Sequence, residues 1–199
     1  MNSRSGGHAE RPVPHVLSRA WQRKDEVALE YFNLQSAPGL LLGSGQITSV
    51  MNEVPHLVNY TLVCDRTWVT REAHVHVNSG GTHSRTRLAR SEDGVWQVDG
   101  EARRDLDGLT DVDIQWTPAT NVLPINRLRL GVGESREVAA AWVRIPELRV
   151  ERLSQTYTRV RENVYQYESG GGSFVAQIIV DESGFVERYA DLWVCIGKA

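Results

Sequence analysis

Residues 72–90 read Glu72-Ala73-His74-Val75-His76-Val77-Asn78-Ser79-Gly80-Gly81-Thr82-His83-Ser84-Arg85-Thr86-Arg87-Leu88-Ala89-Arg90. Ala73, Val75 and Val77 share one parity and Glu72, His74 and His76 the other, the period of a strand with one wet face. Asn78-Ser79-Gly80-Gly81 supplies residues that tolerate positive φ in a tight turn, so the strand over 82–90 returns antiparallel. A second hairpin obeys the same logic: Phe174, Ala176, Ile178 and Val180 alternate with Val175, Gln177, Ile179 and Asp181, and Glu182-Ser183-Gly184 turns the chain into 185–189. A third joins 149–161 to 163–168, after which Ser169-Gly170-Gly171-Gly172 loops into the strand that starts at Phe174. No window sustains a helical period, so the expected class is all-β, mainly antiparallel, laid out as a meander.

Asp111-Val112-Asp113-Ile114-Gln115-Trp116 continues the strand pattern, but the next stretch departs from it. Thr117 precedes Pro118 as an N-cap precedes an N1 proline, which predicts a short helix starting near Pro118. Pro124 stands seventh in that helix and lacks a backbone donor, so the helix must kink, stop or restart there and has at most about three turns. Its apolar residues Val122, Leu123, Ile125 and Leu128 suit a plug over which a large sheet curls.

With 41% hydrophobic and 24% charged residues, the 199-residue chain has material for a real core. One β-roll domain is expected over 16–199, behind a disordered tail over 1–15. A net charge of -3 argues against a surface that binds nucleic acid by neutralising phosphates. The two cysteines, Cys64 and Cys195, make no disulfide framework and read as free buried thiols. Residues 1–10 are polar with no apolar run behind them, so neither a signal peptide nor membrane insertion is expected, and the cytoplasm is the expected compartment. P-loop, dinucleotide, nucleophile-elbow and zinc-ligand spacings do not occur, and no cofactor is expected.

Gly108-Leu109-Thr110-Asp111-Val112-Asp113, followed by residues 117–128, resembles the signature stretch of the bacterial family named "putative glycolipid-binding". Tyr60, Cys64-Asp65 and Trp68 are similar to its early strand pair, and Gly94-Val95-Trp96 to its next turn. Gln155-Thr156-Tyr157, Tyr165-Gln166-Tyr167-Glu168, Val180-Asp181 with Gly184, and Tyr189 with Leu192-Trp193 resemble its closing strands. The resemblance implies a large curved sheet rolled into an incomplete barrel, with one short helix covering or plugging the concave face. It also implies a small amphipathic ligand, a glycolipid or another acyl-bearing compound. Asn126 stands where relatives commonly carry a second arginine before the Arg-Leu pair, so a basic clamp is not implied here.

Several residue sets carry candidate chemistry, each beside a structural reading. Asp111 and Asp113 share a strand face about 7 Å apart, which would admit a water between two carboxylates as in inverting glycosidases. Two adjacent acids on one strand offer no asymmetry to split their pKa values, so capping the helix or pairing with Arg127 is the stronger expectation. Thr117, Thr120, Asn121 and Arg127 suit sugar hydroxyls or a phosphate, or else brace the helix. Tyr157, Tyr165 and Tyr167, with Gln155, form either a platform for a sugar ring or plain cross-strand packing. If the turn is Ser79-Gly80, His83 faces His76 and joins His74 in a possible zinc site; a shift of one residue pairs His83 with Asn78 and disperses the set. Trp68, Trp96, Trp116, Trp142 and Trp193 read as core, and Cys64 beside Asp65 is a poor nucleophile.

The leading functional expectation is non-catalytic binding in a cavity between the sheet and the 118–128 segment, by a monomer or homodimer. The alternatives are a hydrolase or isomerase using Asp111, Asp113 or Arg127, and a structural or interaction module with a filled core whose edges take a partner strand.

Overall fold

The computed structural model describes residues 16–199, and the expected tail over 1–15 lies outside the described residues. Eight strands follow one another: β1 (Val16–Arg23), β2 (Val27–Ala37), β3 (Leu40–Met51), β4 (Val54–Asp65), β5 (Thr70–Ser79), β6 (Thr82–Arg90), β7 (Trp96–Val98) and β8 (Glu101–Ala102). After β9 (Asp111–Ile114) and the helix α1 (Val122–Leu128) come β10 (Ser135–Val143), β11 (Val150–Arg161) and β12 (Val164–Ser169). The chain ends with β13 (Phe174–Val180), β14 (Val186–Tyr189) and β15 (Trp193–Lys198). All belong to one 15-stranded sheet, ordered from β8 down to β1 and then from β15 down to β9. Its pairings are antiparallel except that of β9, which runs parallel to β10. The three hairpins read from the sequence are β5–β6, β13–β14 and β11–β12.

The single expected meander is two, joined where β1 pairs with β15. The first and last strands therefore lie in the middle of the sheet, and its edges, β8 and β9, are consecutive in sequence. Nine residue steps from Ala102 to Asp111 reach at most ~31 Å. In a flat sheet those edges would stand fourteen inter-strand spacings, ~67 Å, apart. The sheet has to roll, and residues 107–112 hold the roll shut. Thr70, just beyond the reach of β6, donates its N–H to Thr110 O at 2.9 Å, and Val112 donates its N–H to Thr70 Oγ1 at 3.3 Å. The Leu109 carbonyl accepts from Arg90 Nε at 2.8 Å and from the Trp96 indole at 3.1 Å. The ladder itself does not close, so the barrel is incomplete.

The inner face carries the core. Trp21, Ile47, Val58, Val75, Leu88 and Trp96, each from a different strand, are fully buried. Phe32, Gly45 and Tyr60 stand in one cross-strand row, with the two rings stacked at 6.1 Å across the glycine. A Cβ at Gly45 would overlap the Tyr60 ring, so glycine is what lets that ring lie on the sheet. Trp68 and Trp193 are buried as expected and Trp116 is half-buried against the core. Trp142 corrects the expectation: Ala141 and Val143 take the core-facing parity, and Trp142 lies half-buried with the Arg144 guanidinium 4.4 Å above its ring. Both cysteines are free; Cys64 is buried, which pushes its thiol up to about 12, whereas Cys195 is only half-buried.

The helical segment restarts, as Pro124 requires, but earlier than the proline. A 3-10 turn over Ala119–Asn121 gives way to α1 at Val122, so Pro124 falls in the first helical turn, where its missing N–H has no partner to lose. Val122, Leu123, Pro124 and Ile125 are all buried beneath the sheet. Gly45→Ala should lower stability by about 1–3 kcal/mol through overpacking, read as a lower urea midpoint at unchanged m. An unchanged midpoint would contradict the close seating of Tyr60 on the Gly45 backbone.

Candidate functional site

The ten residues singled out from the sequence come together around the helical segment, and most are used up in holding it. Asp111 is buried and accepts a fork from Arg127, Nε to Oδ1 at 3.1 Å and Nη2 to Oδ2. Burial raises its carboxyl above the ordinary range, and the Arg127 guanidinium offsets part of that rise. Asp113 accepts from Gln155 Nε2 at 2.5 Å and from Thr120 Oγ1 at 3.3 Å, and burial pushes it up to about 6. Pairing with Arg127 is thus met by Asp111. Asp113 takes a side-chain hydroxyl of the 3-10 turn rather than capping a backbone N–H. The two acids do sit in unlike surroundings, yet each has both oxygens engaged.

Thr117 Oγ1 accepts the Ala119 N–H at 2.9 Å and donates to Glu30 Oε1 at 2.6 Å. Asn121 Oδ1 accepts from the Tyr157 hydroxyl at 2.9 Å, while Asn121 Nδ2 donates to Pro118 O. Tyr157 and Tyr167 are cross-strand partners with rings edge-on at 5.1 Å, and Tyr167 meets Tyr189 at 5.9 Å. Tyr157, Tyr165 and Tyr167 are all buried in an apolar cluster with Ile125, Leu130 and Ile178. Their faces are packed, which is the cross-strand arrangement rather than an open platform. Asn126, the departure from the family pattern, is buried, donates to Ser183 O at 2.9 Å and lies against Gly184.

The histidines disperse. The turn is Gly80-Gly81, so His83 faces Asn78 while His76 faces Arg85 and His74 faces Arg87. His74 instead meets Glu72 at 2.7 Å. Among the described residues no group of three or more His, Cys, Asp or Glu is placed to hold a metal ion.

Sequence reasoning missed two buried polar clusters. Glu30 accepts from the Tyr60 hydroxyl and from Thr117, and its Oε2 is buried without a partner. Burial pushes its carboxyl up to about 8. The available signal was parity: Glu30 shares its strand face with Ala28, Phe32 and Leu34. Arg19 pairs with Asp181 at 2.6 Å, and Asp181 Oδ1 also accepts the N–H groups of Ser183 and Phe185. That accounts for the Val180-Asp181 and Gly184 motif as a braced turn.

Two open recesses lie outside this packed interior. One, of about 420 Å³, opens beside the first half of β10 and is edged by residues 108–110 and by Arg127. Leu109, Val138 and Ala139 are the apolar residues of its lining, and Gly108, Thr110, Arg127, Glu137, Arg152 and Ser154 make up the rest. The other, of about 530 Å³, is a basin on the outer face of β2–β5. Of the ten sequence candidates, Arg127 lines the first of these two recesses and none lines the second.

These features define an open antiparallel β-roll whose interior is filled and braced by buried polar contacts. The chain belongs to the family described as putative glycolipid-binding, whose model matches residues 18–194. It is similar to a crystal structure of a DUF1089 family protein from Pseudomonas aeruginosa, at 34% identity over 82% of this chain and 90% of that one, with a TM-score of 0.74. A beta-barrel-like protein of a domain of unknown function, DUF1849, from Brucella abortus shares the fold at 9% identity and a TM-score of 0.50, over 94% of this chain and 97% of that one. No curated protein matches the chain. No helix among the described residues is long and apolar enough to cross a membrane.

The Asp111 fork and Glu30 make separate predictions. Asp111→Asn removes one partner of a buried ion pair and should cost about 3–5 kcal/mol in urea unfolding. A loss under about 1 kcal/mol would place the pair effectively in solvent. Glu30 ionises near 4.5 when unfolded but only near 8 when folded, so the unfolded state binds fewer protons in that window. Stability contributed at this position therefore falls as pH rises from about 4.5 to about 8. Glu30→Gln should raise the urea midpoint at about pH 9 and leave it nearly unchanged at about pH 4. The same offset at both pH values would show that Glu30 does not fold in its protonated form.

Proposed function

We propose that the protein binds an amphipathic molecule without transforming it, seating the polar head in the recess at Arg127. One observation carries the reading: a recess of about 420 Å³ is lined by Leu109, Val138 and Ala139 together with Thr110, Arg127 and Ser154, so that it offers both apolar and polar groups to the junction between a head group and the start of an acyl or alkyl chain. The Asp111 fork fixes the Arg127 guanidinium, leaving Nη1 outside the fork, and Thr110 and Ser154 add hydroxyls. Arg152 and Glu137, of opposite sign, complete the rim. Pre-fixed donors of this kind suit sugar hydroxyls, because little side-chain freedom is lost on binding. Asp111 and Asp113 have their oxygens engaged in the brace, which favours holding over proton transfer.

A second reading rests on a different observation. The ladder with β9 begins only at Ala140, so residues 135–139 of β10, paired with β11 on one side, offer a free strand edge beside the recess. An extended peptide could add there.

Titration with hexyl, heptyl and octyl glucosides below their micellar concentrations tests the first reading. Affinity should tighten up to roughly fourfold per added methylene, the worth of about 0.8 kcal/mol of apolar burial. Ser154→Trp, at an exposed position, should fill the recess and weaken binding by about tenfold or more. Chain-length-independent binding, or binding untouched by Ser154→Trp, would overturn it.

A further inference from the structure

On the outer face of the roll, strand register builds a second array that owes nothing to the helical segment. Tyr31, Gln46, Asn59 and His76 stand side by side across β2, β3, β4 and β5. Asn33, Ser44, Thr61 and His74 form the adjacent row on the same four strands. The rows sit one inter-residue pair apart, about 7 Å, and the strands about 4.8 Å apart, spacings commensurate with a pyranose ring and its hydroxyls. Short Ser44 and Thr61 lie at the centre and long side chains at the margin, so the face is dished into the basin of about 530 Å³.

Its chemistry is selective. A solvated outer sheet face in a chain with 24% charged residues would be expected to carry about two charged side chains in eight positions, and these two rows carry no Asp, Glu, Lys or Arg. The nearest charges stand outside the array, where Glu72 pairs with His74 and Arg87, and Arg85 lies beyond His76. Gln46 Nε2 donates to Asn59 Oδ1 at 2.9 Å, which fixes both amides and leaves their other donor and acceptor groups facing out. Tyr31 is 55% exposed, an aromatic ring standing at the edge of this basin. Amides and hydroxyls that both donate and accept, with one ring and apolar floor area for the C–H face, are the complement of a sugar and not of a phosphate.

We infer that the basin on β2–β5 is a binding site for an uncharged saccharide, seated on the Gln46–Asn59 amide pair and stacked against Tyr31. It shares no lining residue with the Arg127 recess, and the two sites stand or fall separately.

Saturation-transfer NMR with methyl glucoside, methyl galactoside, methyl mannoside and maltotriose tests this on the full chain. At least one of these neutral sugars should show transfer, with Tyr31→Ala and Asn59→Ala each reducing affinity at least tenfold. Circular dichroism checks that the surface variants stay folded, and Gln46→Ala supplies a second amide variant if one of them does not. Absence of transfer from every sugar at millimolar concentration would overturn the assignment. So would transfer that survives the Tyr31, Asn59 and Gln46 variants, or stronger binding of glucose 6-phosphate than of methyl glucoside.

Discussion

Residues 103–110 leave one edge of a fifteen-stranded sheet and enter the other, and that short tether governs the whole molecule. A connection of this length cannot cross a flat sheet, so the strands must coil until β9 comes back beside the start of β5. Coiling creates an inner face that has to be filled. The chain fills it with large residues from nearly every strand and with the segment over 117–128, whose own polar groups then need partners out of water. The forks and hydrogen bonds around Asp111, Asp113, Thr117 and Asn121 follow from that need.

The same constraint decides where a ligand can go. An interior packed with tryptophan, tyrosine and a helical plug leaves the seam and the outer face as the accessible places. At the seam, the ladder stops short because β9 is only four residues long, and a recess of mixed polar and apolar lining lies beside the unpaired part of β10. On the outer face, a row of neutral side chains in register makes a shallow dish. Between the sheet and the 118–128 segment, where a cavity was expected, the side chains of Val122, Leu123, Pro124 and Ile125 are buried.

Local chemistry was legible in the sequence. Asn78-Ser79-Gly80-Gly81 and Glu182-Ser183-Gly184 marked their hairpins because a turn needs particular residues at particular places, and Thr117-Pro118 marked the helical segment for the same reason. Asp111 with Arg127 was within reach, because a buried acid beside a helix carrying one arginine has few other solutions. Long-range pairing was not legible. Nothing in Val16–Arg23 alone says that it will meet Trp193–Lys198, since any alternating strand can pair with any other. The histidine set failed on a one-residue register, and the tyrosine platform failed because alternation tells which side a ring takes and not whether that side is covered. Glu30 was passed over because a single carboxylate in a core parity looks like noise until Tyr60 and Thr117 are seen to reach it.

The central claim is that this roll is solid inside and binds at its seam. Intermolecular NOEs from the alkyl methylenes of bound octyl glucoside test it most directly. The account predicts contacts to the methyl groups of Leu109, Val138 and Ala139, with the resonances of Val122, Leu123 and Ile125 unmoved. Methylene contacts to Val122, Leu123, Ile125 or the Tyr157 ring would contradict it, because they would place the chain inside the roll.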